Sequence, residues 1–291
     1  MGQDLVAAYP GAAKLIARAD EVLGRSLTSI MFEGPNEDLT KTANCQPALF
    51  LHGLAMLEVL KERVPGLNPV GAAGLSLGEM TAHTPAGTFG FEDGLRLVAK
   101  RGALMDEACA ATNGAMAAMI GGDEEAVRQL AADCDVDVAN FNAPGQIVLS
   151  GSVEGIDQAV AGAKERGIRM GKKLNVAGAY HSRLMAGAQE KLGVALADAP
   201  VGEPGIPVVS NFTAQAARSA DEIRETLTKQ VTGSVRWVES MRGFLDDGKT
   251  VFLELGPGKV LKGLMSRIDK GAEVIAVEDA ESLEAAAARL G

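Results

Sequence analysis

The first third of the chain has a helical pattern of apolar positions. Apolar residues recur at intervals of three and four, which is the period of one helix face. This spacing predicts helical structure over residues 3–65, including a strongly apolar helix over residues 46–64 that ends near Pro65 and Gly66. The regularly spaced positions are Leu5, Ala8, Ala12, Leu15, Ile16, Ala19 and Leu23.

A short apolar run over residues 69–73 is typical of a strand, and two predicted helices follow it. The first helix covers residues 79–88. The second covers residues 91–109 and begins with Glu92 and Asp93, whose negative charges suit the positive end of the helix dipole.

The pattern changes over residues 113–178, where predicted strands and helices follow the order β-α-β-β-α-β of a ferredoxin-like unit. We expect this unit to be inserted into an α/β-hydrolase-like core with a parallel sheet, formed by residues 1–112 and 179–291. Later strands of the core are predicted at 207–211 and 250–255. The insert's predicted strands are 115–120, 136–140, 146–150 and 168–176, and its predicted helices are 123–134 and 153–166.

Composition narrows the class of protein. The chain has 291 residues, of which 47% are hydrophobic and 23% charged, as in ordinary globular proteins rather than disordered ones. A net charge of −10 without a long Lys/Arg run argues against nucleic acid as a partner. No apolar stretch is long enough for a membrane span, and the N-terminal residues lack the pattern of a secretory signal.

Cysteine usage indicates the compartment. Cys45, Cys109 and Cys134 are odd in number, far apart and without the spacing of metal ligands. They are typical of free thiols in a reducing compartment, so we expect a cytoplasmic protein without a metal site.

The segment Gly74–Gly78 matches the G-x-S-x-G pattern between a predicted strand and a predicted helix. In that context the pattern is typical of a nucleophile elbow, where a tight turn lifts the Ser76 hydroxyl to the top of the sheet. The amide N–H of Leu77 would then face the oxyanion that develops during acyl transfer. The alternative is a purely structural turn, because this short pattern is weak evidence in a chain with 35 glycines.

A serine nucleophile needs a base, and the chain offers only three histidines. His52 lies within the apolar helix, where a core or interface role is expected. His83 lies two helical turns beyond Ser76, about 10 Å along the axis and out of hydrogen-bond range. His181 follows the last strand of the insert, on a loop that returns to the core, and is the base by elimination. Its alternative role is that of a surface histidine at the start of a helix.

Arg101 borders the apolar face of the helix over 91–109. Two interpretations of this position remain open. Its head could reach water while its stem covers apolar surface, or its guanidinium could hold a carboxylate with two parallel hydrogen bonds. The apolar face comprises Leu95, Val98, Gly102 and Met105.

Seven motifs occur in one order along nearly the whole chain. Together they make the sequence resemble the malonyl-CoA:acyl carrier protein transacylases of fatty acid synthesis and the related acyltransferase domains of polyketide synthases. The motifs are the elbow, the Arg101-Gly102 helix, the ferredoxin-like insert, and residues 178–185, 207–213, 230–237 and 254–259.

The resemblance implies a role for each matching residue. Ser76 would be the acylated nucleophile, His181 its general base and Arg101 the ligand of the free malonyl carboxylate. Gln230 would orient His181 in place of the acid of a triad, and the Leu77 N–H would donate to the oxyanion. The other residues implied to bind the substrate are Met105, Asn140 and Asn142.

The implied activity is a ping-pong transfer of malonate from malonyl-CoA to the phosphopantetheine thiol of an acidic, transiently bound acyl carrier protein, with no bound cofactor. A basic stretch near the end of the insert is either a docking surface for the carrier or a solvated face. The residues expected to contact the carrier are Arg169, Lys172 and Lys173. We expect a monomer with neither nucleic acid nor a membrane as partner.

Two positions depart from the family pattern. Leu75 stands where the family usually has histidine, just before the nucleophile. The family also begins with an apolar strand and a Gly-Gln-Gly-x-Gln loop whose glutamine completes the oxyanion hole, whereas the printed sequence begins at Met1-Gly2, where that pattern ends. Gln3 lies beyond the motif and does not replace this glutamine. We therefore expect a start placed too late or a shortened chain, because losing one oxyanion donor costs about 10²–10³ in turnover.

Three other functions remain open. A serine hydrolase of acyl thioesters could use the same elbow, although α/β-hydrolases place their histidine late in the chain. An acyltransferase of polyketide synthesis could use another carboxylated extender such as methylmalonyl. A non-catalytic binding protein is the third alternative.

Overall fold

The N-terminal third forms five helices in the computed structural model, which describes residues 1–291. The predicted helical stretch is interrupted before Pro10, which restricts the residue ahead of it, and at Gly24 and Gly34, whose φ angles are 63° and 78°. The helices are α1 (Gln3–Ala8), α2 (Pro10–Leu23), α3 (Leu27–Glu33), α4 (Asn36–Thr40) and α5 (Thr42–Arg63).

Helix α5 packs against two of the helices that flank it, α2 and α7 (Phe91–Ala111). Helices α5 and α7 approach closely because Gly102 has no side chain: a Cβ there would lie 2.6 Å from the Thr42 carbonyl oxygen. Between α5 and α7 in the chain lies α6 (Leu77–His83). The largest apolar cluster includes Phe50 of α5, Leu77 of α6 and Leu95 of α7, so these three helices share one core.

Residues 113–178 form a four-stranded antiparallel sheet in the order β2-β3-β1-β4, with two helices on one face. The predicted order of strands and helices is present. The two ends of this segment touch, because a Cβ on Gly114 would lie 2.7 Å from the Cβ of Ala179. The elements are β1 (Gly114–Ile120), α8 (Glu124–Asp133), β2 (Asp137–Ala143), β3 (Gln146–Ser152), α9 (Val153–Gly162) and β4 (Met170–Lys173).

The remaining chain returns to the N-terminal helices as a mixture of helices and short strands. Strands β5 and β6 pair antiparallel, and β7 and β8 pair parallel, as two separate sheets. The elements are α10 (Ala186–Asp198), β5 (Val208–Val209), β6 (Ala216–Ala217), α11 (Ala220–Gln230), α12 (Trp237–Asp246), β7 (Val251–Leu255), α13 (Val260–Ile268), β8 (Glu273–Val277) and α14 (Ala280–Leu290).

The apolar run over residues 69–73 was wrongly predicted to form a full strand. It makes a single parallel bridge, between Ala72 and Val208. Pro69 and Pro207 have no amide hydrogen and both lie on the N-terminal side of this parallel bridge, so the ladder of hydrogen bonds cannot extend regularly in that direction.

Two other predicted elements are shorter in the structure. The helix predicted over 79–88 begins at Leu77 and ends at His83, because Pro85 has no amide hydrogen with which to continue the helix. The strand predicted over 168–176 is confined to β4, Met170–Lys173, because these are the residues that pair with β1, over Ala117–Ile120. By contrast, the helix predicted over 91–109 is confirmed as α7.

Candidate active site

The turn before α6 holds Ser76 in an unusual backbone conformation, with φ 54° and ψ −104°. Gly74 is required here, because a Cβ on it would lie 1.9 Å from the carbonyl carbon of Gly78. The side chain of Asn211 stabilises the turn from both sides. Its Oδ1 accepts from the Ser76 amide at 2.6 Å, and its Nδ2 donates to the Gly74 carbonyl at 2.8 Å. The strand–turn–helix context is therefore that of an elbow, although the strand is reduced to a bridge.

The Ser76 hydroxyl contacts two cleft residues that are distant in sequence. Its Oγ lies 2.7 Å from Nε2 of His181 and 3.0 Å from Nη2 of Arg101. The Leu77 amide, at the first position of α6, donates to no protein acceptor. The site thus combines a hydroxyl, an imidazole and a guanidinium with a free N–H at a helix N-terminus.

His181 is buried, and its ring is oriented by a backbone carbonyl. Nδ1 lies 2.8 Å from the carbonyl oxygen of Gln230, which can only accept, so Nδ1 carries the proton and Nε2 is free to accept from Ser76. Burial, reinforced by the positive charge of Arg101, lowers the pKa of His181 to about 4. The imidazole is therefore neutral at physiological pH, as a general base must be.

Arg101 does not extend to water, so the interpretation of this residue as a snorkelling surface arginine was wrong. Its exposed fraction is only 1%, because the Gly102 contact draws α7 against α5 and turns the guanidinium inward. Nη1 donates to Oε1 of Gln46 at 2.7 Å, and Nη2 donates to Oε1 of Gln230 at 2.9 Å. Burial lowers the pKa of Arg101 to about 10, and it stays charged near neutrality.

A buried carboxylate completes the network, and the sequence analysis missed it. Glu79 lies one helical turn after Ser76 and is fully buried. Its Oε2 accepts from Nε2 of Gln230 at 2.7 Å and from the Asn211 amide at 2.8 Å. Gln230 Nε2 also donates to the Ser76 carbonyl at 2.9 Å. Burial raises the pKa of Glu79 to about 7, against the opposing effects of these hydrogen bonds and of Arg101.

The other implied substrate-binding residues lie at different distances from the nucleophile. Met105 is buried one turn beyond Arg101, and its sulfur is 3.4 Å from Nε2 of Gln46. Gln46 was also missed, although it is a polar residue directly before the apolar run of α5. Asn140 and Asn142 lie on β2, which reaches the core through a bridge from Asn140 to Val235. Neither makes a side-chain hydrogen bond to Ser76, His181 or Arg101.

The two rejected histidines are buried elsewhere. His83 contacts Thr88 through Nδ1 at 3.0 Å, and burial lowers its pKa to about 4. His52 is buried in α5 next to Gly2. Neither reaches the Ser76 hydroxyl, which agrees with the elimination made from the sequence.

The basic stretch near β4 is partly neutralised. Lys173 pairs with Asp157 of α9 at 2.6 Å. Neighbouring residues of a strand point to opposite faces of the sheet, so Lys172 lies on the face opposite Lys173 and α9. Leu174 shares that face with Lys172 and packs beside Tyr180. Lys172 and Arg169 are exposed and form no ion pair.

A groove adjoins the site without containing it. Its volume is about 710 Å³, and it separates α8 and β2 from α10 and the loop after α11. Arg183, two residues after His181, and Gly233, three residues after Gln230, line its inner end. No helix combines the length and apolar character needed to cross a membrane. No group of three His, Cys, Asp or Glu side chains is placed to hold a metal ion.

Comparison with known proteins identifies relatives over almost the whole chain. Residues 1–284 match the family model described as the acyl transferase domain. The chain is 42% identical to the malonyl CoA-acyl carrier protein transacylase of Bacillus subtilis (strain 168), with 98% of this chain and 91% of the relative covered. It is 39% identical to a polyketide biosynthesis malonyl CoA-acyl carrier protein transacylase of the same strain, with coverages of 90% and 91%. Among solved structures, a type II polyketide malonyl-transacylase in complex with its holo acyl-carrier protein superposes with a TM-score of 0.95 at 37% identity, with 99% of this chain and 94% of that chain covered.

Proposed function

Because the chain belongs to the malonyl-CoA:acyl carrier protein transacylase family of acyl transferases, we propose that it transfers malonate from CoA to the phosphopantetheine thiol of an acyl carrier protein. One observation carries this proposal: the Ser76 hydroxyl lies within hydrogen-bond distance of both a neutral histidine and a buried guanidinium. The first suits acyl transfer, and the second suits an acyl group that bears a carboxylate.

In the first half-reaction, Ser76 Oγ attacks the thioester carbonyl carbon of malonyl-CoA while Nε2 of His181 takes the hydroxyl proton. The oxyanion that forms accepts from the Leu77 N–H at the start of α6. The carbon–sulfur bond then breaks, and His181 returns the proton to the CoA sulfur. A thiolate leaves more readily than an amine, so a Ser-His pair oriented by the Gln230 carbonyl suffices.

In the second half-reaction, the carrier's thiol gives its proton to Nε2 of His181 and its sulfur attacks the malonyl-Ser76 ester. The ester oxygen leaves as the Ser76 hydroxyl after taking that proton back. The site therefore returns to its starting state without a cofactor.

Arg101 gives the site its preference for a carboxylated acyl group. Its Nη1 has one hydrogen left after donating to Gln46, and the Nη2 hydrogen now directed at Ser76 is released once Oγ is acylated. These two donors can hold a carboxylate in parallel. A simple acyl group would leave them unpaired in a buried site, which disfavours it. Met105, Asn140 and Asn142 would line the path of the acyl group and the pantetheine arm.

We further propose the finer architecture expected from the sequence. Residues 1–112 and 179–291 constitute an α/β-hydrolase-like core that carries the elbow, and residues 113–178 constitute a ferredoxin-like subdomain inserted in it. The strand order β2-β3-β1-β4 with both helices on one face supports the second assignment.

The partner would be an acidic carrier that docks transiently at exposed cations of the insert, Arg169 and Lys172 foremost. We propose a cytoplasmic monomer acting in fatty acid biosynthesis. A role in polyketide synthesis is the second candidate, because relatives of both pathways match the chain at similar identity.

The proposal is tested by intact-protein mass spectrometry after incubation with malonyl-CoA. We expect one malonyl adduct on the wild-type protein and on Ser266→Ala, an exposed serine on α13, but none on Ser76→Ala. Added holo carrier protein should receive the group. Free malonate as the sole product would instead indicate a hydrolase, and no adduct on the wild-type protein would refute acyl transfer.

A further inference from the structure

Glu79 is a fully buried carboxylate for which the transfer reaction just described has no use. It does not reach the Ser76 hydroxyl or His181, and it forms no ion pair within 4 Å of any cation. Burying a carboxylate away from water is unfavourable unless its hydrogen bonds compensate. The two bonds it accepts therefore indicate what it does.

Both bonds lead to groups that hold the nucleophile. Oε2 accepts from the Asn211 amide, and the Asn211 side chain bonds both the Ser76 amide and the Gly74 carbonyl. Oε2 also accepts from Nε2 of Gln230, which in turn donates to the Ser76 carbonyl. The carboxylate thus joins the two side chains that fix the backbone on either side of Ser76.

The Gln230 amide lies between opposite charges. Its Nε2 donates to the Glu79 carboxylate, while its Oε1 accepts from the Arg101 guanidinium at 2.9 Å. A flipped amide would direct N–H groups at the guanidinium, which can only donate, and would turn its donors away from the Glu79 oxygen, so both neighbours favour the observed orientation. The backbone carbonyl of the same residue orients His181.

We propose that Glu79 is a positioning residue that acts through Gln230, setting the amide orientation on which the placement of Ser76, His181 and Arg101 depends. Only one part of this inference rests on the proposed function, namely the effect of Glu79 on the preference for a malonyl group. Positioning of the Ser76–His181 pair is independent of which acyl group is transferred.

Two measurements separate the positioning of the Ser76–His181 pair from the preference for a malonyl group. A fluorophosphonate probe has no carboxylate, so its labelling rate measures the reactivity of the Ser76–His181 pair alone, whereas acylation by malonyl-CoA also depends on binding of the carboxylate by Arg101. We expect Glu79→Ala to slow labelling about 10-fold and malonyl acylation about 100-fold, because a displaced Gln230 amide misplaces Ser76 in both reactions and also misplaces Arg101 in the second. The preference for malonyl-CoA over acetyl-CoA should fall about 10-fold accordingly.

A double variant tests whether Glu79 acts through Gln230. Gln230→Ala and Glu79→Ala combined should lose no more than Gln230→Ala alone, whereas independent roles would multiply the two losses. Glu254→Ala is the matched control, since Glu254 is also buried and accepts two backbone N–H bonds, from Leu261 and Lys262, away from the site. It should change neither readout in the folded protein.

Glu79→Gln keeps the volume and the acceptor oxygen, and it serves if Glu79→Ala does not fold by circular dichroism. A charged hydrogen bond is about twice as strong as a neutral one, so we expect labelling near wild type and a malonyl preference lowered about fivefold. Labelling and preference both within twofold of wild type in a folded Glu79 variant would overturn the inference. If the wild-type protein accepts no malonyl group, the proposed function fails and probe labelling of these variants still decides the role of Glu79.

Discussion

Ser76 occupies a backbone conformation that few non-glycine residues adopt, with φ 54°. Such strain costs about 1–3 kcal/mol and persists only where the surroundings fix it. His181 has a positive φ of 56° as well, so both members of the reacting pair are held in uncommon conformations. Asn211 and the Gln230 side chain bond the Ser76 backbone, and the Gln230 carbonyl holds the imidazole. The strain is thus localised where a fixed side-chain direction matters.

The lowered pKa of His181 predicts the pH dependence of acylation. A base with a pKa of about 4 stays neutral from pH 5 to 8, so the rate of malonyl-Ser76 formation should change less than twofold over that range. Glu79→Gln is the form to measure, because it removes the titration of Glu79, whose pKa is raised to about 7. A base with the ordinary pKa would instead lose about 30-fold at pH 5, since protonation of Nε2 removes the accepting lone pair. Rapid-quench mass spectrometry distinguishes the two profiles.

Helices α5 and α7 place two buried polar groups of the site, Gln46 and Arg101, and the contact between the helices depends on a glycine. Gly102 follows Arg101 in α7 and lies against Thr42, the first residue of α5. Thr42 is four residues before Gln46. The same close approach that turns the guanidinium inward also brings Gln46 to its Nη1. The pairing of these two helices therefore affects stability and substrate preference together.

Gly102→Ala should destabilise the protein although alanine favours helices. The new methyl group would lie 2.6 Å from the Thr42 carbonyl oxygen, and overpacking of this kind costs about 1–3 kcal/mol. Gly243→Ala in α12 is the matched control, because nothing lies within 4 Å of its Cβ position, and it should stabilise by about 0.4–1 kcal/mol. Urea unfolding followed by circular dichroism measures both changes. Equal effects of the two substitutions would contradict the packing argument.

Periodicity predicted the long elements well and the short ones poorly. Helix α7 and the order of elements over 113–178 follow from local patterns of burial. The strand at 69–73 failed because whether a short apolar run pairs depends on a partner distant in sequence, here Val208. Ser76, His181 and Arg101 were found through a motif, a shortage of histidine and a resemblance.

Glu79 and Asn211 were not identified because a single polar residue produces no periodic pattern. The sequence alone does not distinguish a glutamate that is buried from one that is exposed. Its partners are 132 and 151 residues away in the chain, so only the fold identifies its contacts. One signal was available for Glu79: it lies one helical turn after the elbow serine and therefore on the same side of α6.

On the scale of the whole molecule, the net charge of −10 leaves few free cations for an acidic partner. Several basic residues of the insert and its C-terminal boundary are paired with aspartates: Arg166 with Asp133, Lys173 with Asp157, and Arg183 with Asp135 and Asp137. Exposed pairs of this kind contribute little stability, but they neutralise local potential. Lys172 remains free on the edge strand β4.

Lys172→Glu should raise KM for the acyl carrier protein several-fold without changing KM for malonyl-CoA, because it reverses a free charge on the proposed docking face. Lys173→Glu is the matched control on the same strand. Lys173 points to the helix face and is already paired with Asp157, so its reversal should have the smaller effect on the carrier. Steady-state kinetics at two ionic strengths checks this, and equal effects of both variants would exclude Lys172 as a specific contact.

The contact between Gly114 and Ala179 has a consequence for modularity. A segment whose two ends touch can be exchanged as a unit if the replacement spans the same short gap and keeps the pairing of β2 with Val235 of the core. Residues 113–178 carry Lys172 and Asn140 together, while Ser76, His181, Arg101 and Gln230 all lie outside them. With the proposed docking at Lys172, exchange of this segment should change carrier recognition and leave Ser76, His181 and Arg101 in place.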